Sequence, residues 1–191
     1  MEYGFFAFLS RMKFIRRWGL MRNTRDESLS EHSHEVAVLA HALAMIGNRY
    51  FEKRLDADRA AVLAIFHDAS ETVTGDMPTP VKYFSSEIKT AYESVDAVAK
   101  EKLLAMLPDE LRSDYADIFY SEDDPYLLRL VKGADTLSAY IKCIEERTAG
   151  NTDFKKAEKS ILARLKGYKL EEVDWFLAHF APKYEKTVDE M

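Results

Sequence analysis

The stretch AIFHDASETVTGDMPTP, residues 64–80, decides how this chain is read. Ala60, Leu63 and Ala64 share a helical face with His67, so the apolar stripe of a helix capped by Asp56 or Asp58 runs straight into a His-Asp pair. Glu71 follows His67 at i+4, and the spacing predicts one helix through Val73 that stops at Gly75, because Pro78 and Pro80 cannot continue it. An adjacent imidazole and carboxylate at the inner end of an apolar helix is costly to bury unless the carboxylate is paired or bound to a cation. A metal would supply that compensation, leaving Glu71 near it and free to handle protons.

Working outward, Ser28 with Glu31 forms a capping box that opens a helix over about 29–49. Stepping by three and four from His32 reaches Val36, Leu39, Leu43 and Ile46, which puts the imidazole on the core-facing stripe. His34 and His41 fall on another stripe with Val38 and Met45; residues two apart on a helix point in different directions, so His34 stays outside the site. Asp124 before Pro125 starts a further helix that runs to Thr148, with Leu127, Leu130, Val131, Ala134, Leu137, Ile141 and Ile144 as its apolar stripe and Asp135 at the stripe's edge. Gly133 inside this helix costs about 1 kcal/mol relative to alanine, which hints that another backbone or a ligand comes close. Helices are also expected over about 3–14, 84–106, 153–166 and 170–180, the last with Val173, Phe176, Leu177 and Phe180 as core.

Composition supports an all-α chain. Hydrophobic residues make up 47% and charged residues 31% of 191, with only 7 glycines and 5 prolines as punctuation, which suits one soluble helical domain. The single Cys143 excludes an internal disulfide and a cysteine zinc cluster, so nothing asks for an oxidising compartment and a cytoplasmic location is expected. MEYGFFAFLSRM lacks the basic start of a signal peptide, and no stretch approaches the roughly 18 apolar residues of a membrane span. The net charge of -6 argues against nucleic-acid polymers as partners, although residues 1–25 carry Arg11, Lys13, Arg16, Arg17, Arg22 and Arg25 against Glu2 alone.

His32, His67, Asp68 and Asp135 together give the order H…HD…D on three helices, which resembles the HD-domain superfamily of metal-dependent phosphohydrolases. The longer stretches FFAFLSRMKFIRRWGLMRNTRDESLSEHS, HDASETVTGDMPTPVKYF and LVKGADTLSAYIKCIEE are similar to the bacterial HD-domain 5'-deoxynucleotidase family, closely over about 1–150 and more loosely beyond. The resemblance implies an HD-domain-like helical bundle, a single domain over 1–191 with its core at about 25–150 and helices of 153–185 packing on it. It implies one divalent metal on His32, His67, Asp68 and Asp135, and that mixed donor set favours a transition metal over calcium. Cobalt or manganese is the first expectation, with nickel, zinc or copper also suited. It further implies that Arg17 orients the substrate phosphate beside Trp18, that Glu71 is the catalytic acid, and that Asp76, Met77, Pro78 and Thr79 form the substrate loop, with His32 and Asp68 also touching substrate.

The implied reaction is hydrolysis of a deoxyribonucleoside 5'-monophosphate by a homodimer. Its rivals are another HD phosphohydrolase, acting on cyclic nucleotides, nucleoside triphosphates or guanosine tetraphosphate, and a silent helical module that keeps its metal for stability. Glu71 with Arg17 separates the enzyme from the silent module, since a structural site needs neither. Tyr83, Phe84 and Tyr140 are candidate pocket walls, and Lys82 adds positive potential.

Overall fold

A computed structural model of the chain describes residues 2–82, 84–122 and 124–191; the expectation for Tyr83 lies outside them. The described residues form ten α-helices and short 3-10 turns: α1 (Phe5–Leu9), α2 (Leu29–Tyr50), α3 (Ala57–Phe66), α4 (Glu71–Thr74), α5 (Thr79–Lys82), α6 (Ser86–Leu104), α7 (Asp109–Phe119), α8 (Pro125–Thr148), α9 (Lys155–Gly167) and α10 (Glu171–His179). Among the described residues the one β pairing is an isolated antiparallel bridge between Arg16 and Ser28. The all-α class is as expected.

Start signals read from sequence act where they were placed. Ser28 and Glu31 close the capping box reciprocally, with Glu31 Oε2 accepting from Ser28 N at 2.8 Å and Ser28 Oγ accepting from Glu31 N at 3.2 Å. Asp124 Oδ1 accepts from Leu127 N at 2.9 Å with Pro125 at the first helical position. Three expectations change. The third helix does not run unbroken to Gly75: it ends at Phe66, and Ala69 N, Glu71 N and Thr72 N bond three residues back, to Phe66, Asp68 and Ala69 carbonyls, before α4 begins. Helix α7 is new, opened by Pro108 and the acidic pair Asp109 and Glu110. Phe180 is exposed, while Val173 and Phe176 are buried as expected.

Contacts sort the chain into two compact units, between which the chain alternates. The first contains the residues to Leu20, Asp26–Ser33 and Ile65–Ser121. Phe5, Ala69, Leu103, Leu104 and Leu107 form its buried core, with Phe66, Tyr115 and Phe119 packed around them. Phe5 meets Tyr115 edge-on at 4.9 Å between ring centres, and Phe66 meets Tyr115 at 5.7 Å.

The second unit contains Met21–Arg25, His34–Ala64 and Glu122–Met191. Helix α8 is its spine: Leu127, Leu130, Val131, Ala134, Leu137, Ile141 and Ile144 are all buried, each leucine, isoleucine and valine among them contributing roughly 1.5–3 kcal/mol. A methyl group on Gly133 would lie 3.0 Å from Leu170 Cδ1 and 3.3 Å from Val173 Cγ2, so the glycine admits the start of α10 rather than a ligand. Buried Glu146 accepts from Lys142 Nζ at 2.6 Å, Asn151 Nδ2 at 2.7 Å, Thr24 Oγ1 at 2.8 Å and Thr24 N at 3.0 Å, tying residues 24–25 to α8.

Burial alone would raise the Glu146 pKa, but the bonds from Lys142, Thr24 and Asn151 outweigh it and pull the carboxyl down from 4.5 to about 2. Glu146→Ala leaves Lys142 as a buried cation without its carboxylate and is expected to cost about 3–5 kcal/mol in urea unfolding at pH 7. The ionised carboxylate's contribution is whole above pH 4.5 and is lost as pH falls toward 2, so the stability gap between wild type and Glu146→Gln should narrow in acid.

Candidate metal centre and active site

Apart from Asp135, the expected ligands, Arg17, Trp18 and Glu71 are set on short, well-anchored pieces of the first unit. The Arg16–Ser28 bridge runs on through Arg17 N to Glu27 O and Leu29 N to Ile15 O, both 2.9 Å, which lays the Arg17–Trp18 segment beside the start of α2. His32 sits in the first turn of that helix, its amide on the Ser28 carbonyl at 3.1 Å, and is fully buried. The turn carrying His67 and Asp68 is held from below: Ala69 is part of the core and the Ser70 hydroxyl bonds to Asp96 on α6.

Three nitrogen-bearing side chains converge on one oxygen of Asp68. His67 Nε2 lies 3.0 Å, His32 Nε2 3.6 Å and Arg17 NH1 3.6 Å from Asp68 Oδ2. The two imidazole rings are 5.3 Å apart between centres. Two imidazole nitrogens and a carboxylate oxygen grouped so closely are the donor chemistry of a divalent transition metal. The surrounding charge fits as well, because Glu27, Asp68, Glu71 and Asp76 act on one another here against the positive charges of Arg17 and Lys82. Asp135 lies on α8 in the second unit, where Lys132 Nζ donates to its Oδ2 at 2.7 Å.

Glu71 opens α4 and is buried. Burial, then the charges of Asp68 and Asp76, push its carboxyl from 4.5 up to about 9, with Arg17 and Lys82 opposing. At neutral pH it therefore holds a proton. Tyr92 on α6 donates to Glu71 Oε1 at 3.3 Å, while Glu71 Oε2 has no hydrogen-bond partner within the protein. Gly75 takes φ of 75°, a conformation open to glycine, and turns the chain into the loop of Asp76, Met77 and Pro78. Burial raises the Asp76 pKa and Arg17 opposes it, with Asp68, His32 and Glu27 also acting, so this carboxyl shares the electrostatic field of the cluster. Thr79 is exposed at the head of α5, and Lys82 at its end lies 4.3 Å over the Tyr92 ring.

Among the residues expected from sequence, the first unit thus gathers Arg17, Trp18, His32, His67, Asp68, Glu71 and Asp76. His34, which the helical spacing left outside the site, is exposed. Two participants were not read from sequence. Glu27 accepts from Trp18 Nε1 at 2.8 Å and Arg17 Nε at 3.4 Å, and Tyr92 holds Glu71. An acid directly before the Ser28 cap, facing a run of arginines, was the available signal for Glu27; Tyr92 lies on a largely exposed stretch of α6 and carried none.

Comparison with known proteins follows this geometry. The family model described as 5'-deoxynucleotidase YfbR-like matches residues 4–184. A 5'-deoxynucleotidase of Shewanella oneidensis is 50% identical over 187 residues, covering 97% of this chain and 96% of its own. An HD-domain phosphohydrolase from Listeria innocua superposes with a TM-score of 0.83 at 22% identity, covering 94% of this chain and 87% of that one. The HD phosphohydrolase of cyanophage S-2L, bound to dA and one catalytic Zn2+ ion, superposes with a TM-score of 0.67 at 19% identity, over 93% of this chain and 96% of that one. These two structures share the fold.

Glu71→Gln keeps the shape of the buried acid and removes its ionisation. Because the folded carboxyl titrates at about 9 and an ordinary one at 4.5, its contribution to stability is full only below pH 4.5 and is lost as pH rises toward 9. In chelator, Glu71→Gln is expected to melt about 4 °C above wild type at pH 8, the two converging in acid. Calorimetry showing the variant melting lower at pH 8 would contradict the buried-acid assignment.

Proposed function

The chain belongs to the YfbR-like 5'-deoxynucleotidase family, and we propose from that premise how its residues carry out the reaction. The reaction is hydrolysis of a deoxyribonucleoside 5'-monophosphate to the deoxyribonucleoside and phosphate, and the enzyme is a phosphoric monoester hydrolase. The observation that carries the reading is the convergence of His32, His67 and Arg17 on Asp68, in the same unit as the buried Glu71. The two units are read as parts of one catalytic domain, since the family model runs through both.

His32, His67 and Asp68 are assigned to one divalent transition metal, with Asp135 as fourth ligand on the strength of the H…HD…D order. When bound, such a metal supplies Lewis acidity to phosphoryl oxygen and lowers the pKa of water. Arg17 takes phosphate oxygens in its planar fork next to the ligand carboxylate and offsets the charge that builds during transfer. Glu71, holding its proton at neutral pH, delivers it to the departing 5'-oxygen. Trp18 and the loop of Asp76, Met77, Pro78 and Thr79 line the sugar, where apolar packing leaves a ribose 2'-hydroxyl without a partner. His32 and Asp68 also border the substrate.

Cobalt or manganese is the preferred occupant, on the donor chemistry and the family resemblance. A cytoplasmic location accords with the single, buried cysteine and with the absence, among the described residues, of a helix long and apolar enough to cross a membrane, while a homodimer is proposed on the family resemblance alone.

With cobalt or manganese supplied, the purified protein should turn over deoxyribonucleoside monophosphates at least tenfold faster than the ribonucleotides. Glu71→Ala should retain metal by elemental analysis while kcat falls about 100-fold. Asp135→Ala should lower metal content together with turnover. Equal rates on the two sugars would remove the proposed selectivity, and a fully active Glu71→Ala would remove the proton role.

A further inference from the structure

Arg17 and Trp18 are adjacent in sequence, yet the proposed reaction asks different things of them: one guanidinium aimed at phosphate, one indole at a sugar. Adjacent side chains on an extended or turning backbone diverge, so something must fix both. Trp18 adopts φ of 58°, a left-handed conformation that a bulky residue holds only where its surroundings impose it.

The restraint is visible in Glu27. Its backbone carbonyl receives Arg17 N at 2.9 Å. One carboxylate oxygen, Oε2, receives the Trp18 indole Nε1–H at 2.8 Å and Arg17 Nε–H at 3.4 Å. The other, Oε1, lies 3.8 Å from His32 Nδ1, the ring nitrogen that does not face Asp68. The carboxylate is largely buried, with 13% of its side chain exposed, so these bonds act in a medium that screens them weakly. Arg17 Nε is engaged by Glu27 while NH1 reaches toward Asp68, which sets the plane of the guanidinium from its back edge.

We propose that Glu27 is a positioning residue for this active site: a single carboxylate that aims Arg17 at the phosphate, pins Trp18 in its left-handed conformation at the sugar, and braces His32 from behind. The inference rests on the reading of Arg17 and Trp18 as phosphate and sugar contacts. Glu27 touches neither substrate nor reacting atoms. It acts through the groups it holds, as the outer partners of ligands do at metal sites.

Two variants and two readouts test it. Glu27→Gln keeps an oxygen for the indole and loses the charge shared with Arg17, whereas Glu27→Ala loses both. KM for a deoxyribonucleoside monophosphate should rise about tenfold in Glu27→Ala and less in Glu27→Gln. The preference for deoxyribose over ribose should fall in Glu27→Ala and survive in Glu27→Gln. In protein labelled with 5-fluorotryptophan, the two tryptophans, Trp18 and Trp175, give two fluorine resonances; Glu27→Ala should shift the Trp18 signal and leave Trp175 in place. An unmoved Trp18 signal, or wild-type KM and sugar preference in Glu27→Ala, overturns the proposal, as does an equal loss in the Gln and Ala variants. Wild-type protein without deoxynucleotidase activity defeats the underlying reading instead, and the fluorine spectrum still reports whether Glu27 holds Trp18.

Discussion

One oxygen of Asp68 is the point on which the catalytic arrangement depends. Two imidazole nitrogens and a guanidinium reach it from three separate pieces of chain: the first turn of α2, the turn after α3, and the segment bridged to Ser28. A carboxylate so withdrawn from water is unfavourable unless positive charge or hydrogen-bond donors surround it. A bound cation at the proposed metal site would supply that compensation. The same constraint explains Glu71. Placed near Asp68 and Asp76 and shielded from water, it lowers the local repulsion by keeping its proton, which is the proton the proposed acid role calls on.

The turn at His67–Ser70 shows how local geometry serves this constraint. A regular helix would carry His67, Asp68 and Glu71 onward at 100° per residue. Bonds that reach back three residues instead of four tighten the chain there and re-aim Glu71. The strain of leaving the helix is met by packing: Ala69 enters the aromatic core of the first unit, and Ser70 is fastened to Asp96. Tyr115 and Phe119, from α7, complete that core. The least hydrophobic-looking helix of the unit thus packs on the core that seats the His67–Ser70 turn.

Stability and function are divided in a readable way along α8. Its buried stripe and its Glu146–Lys142 pair hold residues 24–25 from the second unit, and those residues lead directly into Asp26, Glu27 and the α2 cap. What Lys142 and Glu146 fasten is thus the segment of chain that runs on directly into Glu27.

Resemblance to a known family supplied the ligand set and the roles expected of Arg17, Trp18, Glu71 and Asp76, whereas sequence by itself determined the helical class, the caps at Ser28 and Asp124 and the burial of the His32 and Leu127 stripes. These depend on local chemistry or on a periodicity that any helix imposes, so they are legible without a neighbour. Tertiary structure alone decided the break after Phe66, the existence of α7, the exposure of Phe180 and the parts played by Glu27 and Tyr92. In each case the deciding term is a partner distant in sequence: a core that pulls Ala69 inward, aromatic rings that give Tyr115 and Phe119 a face to bury, an indole and a guanidinium that meet at one carboxylate. Spacing records which residues share a face, but a residue whose purpose is to hold another can be recognised only when the other is in reach.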